Sequence, residues 1–237
     1  MDTVTHHALS ADPHLLKLLG DELIGNDRLA VFELVKNAYD ADATQVDVEV
    51  NFSSSAPYIR IRDNGNGMTS DVIVKNWMRL GSGGKRGAKK QKSLIFGRMP
   101  LGEKGVGRLA VQKLGSLTRL VTRSANEKEY EVHVNWDSIA KEATELTDLS
   151  FALRENASPS TFSGQEHGTL IEIRNLHRTE WTRRDLRALK RLLVSLKSPF
   201  DTVSDFDVRL TVPGREPEMA LLRKSGSTSV APAGLVA

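Results

Sequence analysis

ELVKNAYDAD, Glu33 to Asp42, is the stretch on which the reading of this chain turns. It lies in a longer segment, Asp27 to Asp40, that reads as a helix with Asn26 or Asp27 as its N-cap. Leu29, Val31, Phe32, Leu34, Val35 and Ala38 are apolar over most of the helix circumference, so burial of most of the helix is expected. Glu33, Asn37 and Asp40 fall at i, i+4 and i+7. At about 100° per residue they share a stripe of roughly 60°. A polar stripe on a buried helix costs free energy unless each group finds a partner. A metal–phosphate site would supply partners. Asn37 offers a neutral oxygen to Mg²⁺, and Glu33, one turn away, can orient and deprotonate a water. The same stripe would equally serve an ordinary amphipathic helix as its solvent face.

Two further stretches carry chemistry of a matching kind. DNGNGM, Asp63 to Met68, puts a carboxylate at the end of an alternating strand and follows it with glycines. Such a carboxylate suits the amine of a heterocycle, and Gly65 and Gly67 let a flat ring approach the backbone. Asn-Gly is also an ordinary turn dipeptide, so a plain hairpin fits too. GEKGVGRLA, Gly102 to Ala110, sets three glycines before an apolar helix, and backbone N–H groups at a helix start attract anions. Lys104 and Arg108 add positive charge there. The run lacks the GK[ST] ending of a P-loop. It also lacks the preceding strand and later acid of a dinucleotide fold.

Outward from these motifs, VDVEV (Val46 to Val50) and YIRIRD (Tyr58 to Asp63) alternate with period two and read as strands. A short helix is expected over Asp71 to Arg79 and an apolar one over Val106 to Leu114. Further strands are expected at Leu117–Thr122, Glu129–Asn135 and Thr169–Arg174. Leu186, Leu189, Leu193 and Leu196 give Thr182 to Lys197 one buried face, and Ser198-Pro199 ends that helix. Asp205 to Val212 is a last strand candidate, and the Gly-, Pro-, Ser- and Ala-rich tail beyond reads as a linker or frayed end. Strands and helices mix without strict βαβ alternation. The fold expected is therefore an α/β (α+β) two-layer sandwich, a mixed sheet with helices on one face.

Composition narrows the chemistry. The 237 residues contain no cysteine, which excludes disulfides, thiol nucleophiles and cysteine metal sites. No apolar run reaches the ~18–20 residues that span a bilayer, and MDTVTHHALSADPH lacks the features of a signal peptide. A cytoplasmic protein without membrane contact is expected. The net charge of +3 is unevenly spread. Between Asp71 and Glu103 there is no acid but eight bases: Lys75, Arg79, Lys85, Arg86, Lys89, Lys90, Lys92 and Arg98. Without those eight the rest of the chain carries −5. Gly81 to Pro100 reads as a long mobile basic loop. Arg183, Arg184, Arg187, Lys190, Arg191 and Lys197 form a second basic patch. Both patches suit a nucleic acid, and both equally suit a solvated face, since stacking aromatics are absent around them.

Taken in order, the motifs resemble the GHKL ATPase superfamily of gyrase B, the large heat-shock chaperone, histidine kinases and MutL. In that resemblance ELVKNAYDAD is the N-box, DNGNGM the first glycine box and GEKGVGRLA the second. HGTLIEI (His167 to Ile173) resembles the later Gly-Thr strand, and LGSGGK (Leu80 to Lys85) the chaperone-type lid. The likeness is strongest to chaperone-, MORC- and MutL-like members, and WTRRDLRALKRLLVSLKSPF resembles the closing helix of MORC-like modules.

The resemblance implies a Bergerat fold with a mostly antiparallel mixed sheet. It implies ATP or ADP as ligand, with Glu33 as general base, Asn37 as Mg²⁺ ligand and Asp63 on the adenine amine, supported by Thr169. Gly65, Gly67 and Met68 would line base and ribose, and Asp40 and Ala41 would belong to the same nucleotide site. Gly102, Glu103, Lys104, Gly105, Val106, Gly107 and Arg108 would wrap the phosphates, with Leu80 and Lys85 reaching in from the lid. The implied layout is an extension over 1–26, an ATP-binding domain over 27–212 with a lid at about 69–101, and a tail or linker over 213–237. The implied function is Mg²⁺-dependent ATP binding with slow hydrolysis, driving lid closure and homodimerisation of a larger protein, with DNA as a further partner through the lid and helix 182–197. A nucleotide-gated switch with negligible hydrolysis and a kinase of the same family are the alternatives. Only 32 residues precede Glu33, too few for a histidine kinase's phosphoacceptor hairpin, and His6, His7 and His14 have no His-Glu pairing. Hydrolytic members generally draw a further Lys or Arg from a following transducer domain. An isolated N-terminal module is therefore expected to turn over slowly.

Overall fold

The computed structural model describes residues 10–53, 55–79, 92–102, 107–196 and 205–215, with side chains left out at 108 and 140–142. In chain order the elements are α1 (His14–Leu23), α2 (Asp27–Asp40), β1 (Gln45–Asn51), β2 (Tyr58–Asp63), α3 (Ser70–Val72), α4 (Gly107–Leu114), β3 (Gly115–Arg123), β4 (Glu129–Asn135), α5 (Trp136–Glu142), β5 (Leu153–Asn156), β6 (Gly168–Leu176), α6 (Arg183–Val194) and β7 (Asp207–Thr211). Seven strands form one sheet in the order β5-β4-β3-β6-β2-β1-β7. All neighbours are antiparallel except β1 and β7, which run parallel. The expected two-layer sandwich with a mixed, mostly antiparallel sheet is what the chain adopts.

Register explains the layering. Val46, Val48 and Val50 of β1 line up with Asp63, Ile61 and Ile59 of β2, and those with Thr169, Ile171 and Ile173 of β6. Because strand side chains alternate, these residues share one face, and the buried residues of α2, α4 and α6 join them in one apolar core. The opposite face carries paired charges instead. Arg60 bonds Glu49 and Glu172, Arg174 also reaches Glu172, and Arg119 reaches Glu131. At one end that face is covered by the 157–167 segment, where Phe162 packs on Val121 and Leu170. Fully buried Glu129 holds the segment by accepting the backbone N–H groups of Ser160, Thr161 and Phe162.

Several expected elements shift. The 71–79 helix starts at Ser70 and passes after Val72 into a π-helical turn over Ile73–Trp77. The basic helix ends at Val194, and Lys197 lies outside the described residues. Its start is held by a capping box between Thr182 and Asp185. Asp185 also binds Arg28 and Arg178. Burial would raise its carboxyl, but hydrogen bonds from Thr182 and Arg178 pull it down to about 2. α1, α5 and β5 were not expected. α2 is less buried than its composition suggests, since Glu33 and Asp40 are half-buried and Asn37 is exposed. No helix among the described residues is long and apolar enough to cross a membrane.

Candidate functional site

Asp63 ends β2, and in register it faces Val46 on one side and Thr169 on the other. Its carboxylate therefore stands on the helix-covered face of the sheet, 9% exposed. The Gly65 N–H (2.9 Å) and the Thr169 N–H (3.2 Å) both donate to Oδ1. Among the described residues nothing donates to Oδ2. Burial, only partly offset by those two hydrogen bonds, pushes the Asp63 carboxyl up to about 6. A buried carboxylate with one oxygen satisfied and the other open is a waiting acceptor.

The turn after Asp63 is tied to the end of α2 and to β3. The Asn66 N–H donates to the Ala41 carbonyl at 2.8 Å. The Asn64 side chain accepts from the N–H groups of Thr44 and Gln45. Gly67 sits at φ +62° with its α-carbon against the Arg123 carbonyl, so conformation and space both demand glycine. The Met68 N–H donates to the hydroxyl of fully buried Thr122, which itself donates to the Gly168 carbonyl and lies 3.1 Å from the Thr169 hydroxyl. His167 Nδ1 is 2.6 Å from the Gly65 carbonyl. Thr122 and His167 were not among the expected site residues. The signal for Thr122 was a hydroxyl at an inward position of an apolar strand.

The second end of the site lies along α2. Lys36 Nζ bonds both Glu33 oxygens, at 2.8 and 3.0 Å. Asn37 lies against the first residue of α4: a Cβ at Gly107 would fall 2.3 Å from the Asn37 amide nitrogen, so a side chain there would displace that amide. Asp40 accepts the N–H groups of Leu101 (2.7 Å) and Gly102 (2.9 Å). Both flanks of 103–106 are thus fixed to α2. Glu103, Lys104, Gly105 and Val106, like Leu80 and Lys85 of the lid, lie outside the described residues, as does the Arg108 side chain.

One expectation is corrected. The basic stretch read as mobile up to Pro100 is tied down over its described part, 92–100. The Ser93 N–H donates to the Arg98 carbonyl and the Arg98 N–H to the Ser93 hydroxyl, both at 2.8 Å. Asp42, held at φ +59°, accepts the N–H groups of Ile95 and Phe96. Burial would raise its carboxyl, but hydrogen bonds from Ser93, Ile95, Phe96 and Asn66 hold it below the usual range. Arg98, counted above among the lid bases, is 6% exposed and faces inward. Lys75 pairs with Asp71 on the α3 side.

The family model described as histidine kinase-, DNA gyrase B- and HSP90-like ATPase matches residues 27–169. A putative type II restriction enzyme, HgiDII, of Herpetosiphon aurantiacus is 30% identical over 48% of this chain and 18% of its own length. The chaperone protein HtpG of Hydrogenovibrio crunogenus is 28% identical over 65% of this chain and 29% of its own. The DNA mismatch repair protein MutL of Escherichia coli is 27% identical over 73% and 25%. The chain thus spans under a third of the length of these curated relatives. With the family model covering more than half of the chain, from the first residue of α2 to the Thr169 beside Asp63, the chain belongs to the histidine kinase-, DNA gyrase B- and HSP90-like ATPase family.

Proposed function

We propose that this chain is an ATP-binding module that recognises adenine through Asp63, binds the triphosphate between α2 and the 102–108 loop, and hydrolyses it slowly. The open Oδ2 of Asp63 carries the proposal. It offers an ionised acceptor to the adenine amine, while Thr169, Thr122, Gly65 and Met68 hold the surrounding backbone in place. Glu33 is the general base for the attacking water, and Asn37, exposed beside the start of α4, is the protein's contact to Mg²⁺. The donor set fits that ion, which takes few protein oxygens and relies on phosphates and water. When bound, Mg²⁺ neutralises phosphate charge. Asp40 acts at one remove, through the Leu101 and Gly102 amides. Lid closure and homodimerisation of a larger protein are the output, as the HtpG- and MutL-like family membership suggests. Calorimetry with ATP, ADP and AMP, with and without Mg²⁺, tests the reading. Tighter binding of ATP than AMP only when Mg²⁺ is present supports it, and no heat with any of them refutes it.

Contact with DNA is a second reading, favoured by α6. Arg183, Arg184, Arg187 and Arg191 are exposed, and none pairs with a carboxylate among the described residues. A restriction enzyme and a mismatch repair protein are among the relatives. Phosphate contacts by these arginines would make affinity fall steeply with salt. A DNA titration at two salt concentrations, repeated with Arg187→Glu, decides this reading.

A further inference from the structure

Arg98 is a buried cation in a stretch whose other bases suit water or an anion. Its guanidinium lies 4.6 Å from the ring centroids of Tyr39 and Phe96 and 5.3 Å from that of Phe206. Nη1 donates to the carbonyls of Tyr39 (3.1 Å) and Ala43 (2.7 Å), Nη2 to the Asp205 carbonyl, and Nε to the Asp205 carboxylate. A buried charge is tolerated only when its donors are met this fully. The planar fork of arginine meets four acceptors that a lysine ammonium could not. Those contacts come from three places: the last turn of α2, the residues between α2 and β1, and the approach to β7.

The backbone around Arg98 is fixed to the same region. Ser93 and Arg98 close the 93–98 loop on itself, Asp42 holds the amides of Ile95 and Phe96, and Asp40 holds those of Leu101 and Gly102. Asp40 stands one turn beyond Asn37 on α2. Fixing 92–102 therefore fixes Gly102, one flank of the 103–106 segment, against the end of α2 where the triphosphate is placed.

We propose that Arg98 is a positioning residue for the triphosphate end of the site, locking the 92–102 segment to α2 and to the approach of β7 so that Gly102 is held on Asp40. The proposal rests on the nucleotide reading above. It divides the expected lid, since 92–102 is a fixed stem. A residue that only stabilised the fold would lower the melting temperature without changing the preference among nucleotides. A positioning residue for the phosphates selectively weakens the ligand that has three of them.

The test compares ATP and AMP binding, with Mg²⁺, to the full chain and to Arg98→Ala and Arg98→Lys. AMP affinity should stay within about twofold, because Asp63, Thr122 and Thr169 do not touch Arg98. The preference for ATP over AMP should fall about tenfold or more in Arg98→Ala, and by less in Arg98→Lys. A wild-type preference in either folded variant overturns the proposal. Amide hydrogen exchange of the wild-type chain without nucleotide reads the stem directly, whatever the variants do. Protection of the Leu101 and Gly102 amides by about 100-fold or more is expected, and exchange at unprotected rates overturns the proposal. A wild-type chain that binds neither nucleotide counts against the site reading alone and leaves exchange to decide the stem.

Discussion

The two ends of the candidate site are built differently. At the base end, Asp63, Thr169 and Thr122 stand on three adjacent strands, and the turn they hold is tied to Ala41 at the end of α2. Their hydrogen bonds are complete except for one carboxylate oxygen. At the phosphate end the groups stand on a single helix face, Asn37 is exposed, and the proposed base Glu33 is held by Lys36 through both oxygens. The base end is preorganised, so a nucleotide loses little on fitting it. If Glu33 is the general base, the phosphate end would have to rearrange, with Glu33 giving up a Lys36 contact to take a proton from water. Under the proposed function, that contrast would give tight binding with slow turnover.

Breaking the base end should have the largest effect. Asp63→Asn keeps an acceptor for Gly65 and Thr169 but turns an NH₂ toward the adenine amine. ATP affinity should fall about 100-fold or more by calorimetry. The same change should raise the melting temperature of the nucleotide-free protein near pH 7.5. The folded Asp63 titrates at about 6 against an ordinary 3.8, so its burial favours the protonated form. Its stabilising contribution is present at low pH and lost as pH rises through 6. At neutral pH the buried charge costs on the order of 3 kcal/mol, and the amide removes that cost. A variant that both binds ATP normally and melts normally would contradict the assignment on two counts.

Glu33→Gln probes the other end. Hydrolysis should drop about 100-fold in a steady-state phosphate-release assay while ATP affinity stays within about threefold. Next comes pH. ATP affinity of the wild type should be flat above about pH 6.5 and fall about tenfold per unit below 6, as Asp63 takes up a proton and stops accepting. Asp63→Asn should flatten that profile. The smallest effect is expected for Lys36→Met, which frees Glu33. Turnover should rise by about threefold with unchanged affinity, because an ion pair between residues three apart on one helix is weak. A fall in turnover would instead give Lys36 a direct part in the reaction.

The same contrast governs what could be read from the sequence. The helix Asp27–Asp40 and the strands Tyr58–Asp63 and Glu129–Asn135 form with the bounds read from hydrophobic period and caps. Asp63, Gly65, Gly67 and Asn37 were legible because each lies in a short motif whose parts are neighbours in the chain. α1 escaped because its N-cap Pro13 makes no side-chain cap, and Leu15, Leu18, Leu19 and Leu23 stay on its open side. β5 is four mostly polar residues at the sheet edge, with no period to detect. Thr122 needed the register of β3 with β6 to be seen beside Thr169. Arg98 was misread because its cage draws on Tyr39, Phe96 and Phe206, which only the tertiary fold brings together. Local chemistry announces itself in sequence, whereas a buried charge is recognised by its distant partners.

The most direct test of adenine recognition by Asp63 is calorimetric comparison of ATP with ITP, which carries an oxygen where adenine has its amine. A site whose open group is a buried carboxylate should reject that oxygen. ATP should bind the wild type about 100-fold or more tightly than ITP, and Asp63→Asn, which offers a donor, should reverse the order. Equal affinity of the wild-type protein for ATP and ITP would contradict recognition of adenine by Asp63.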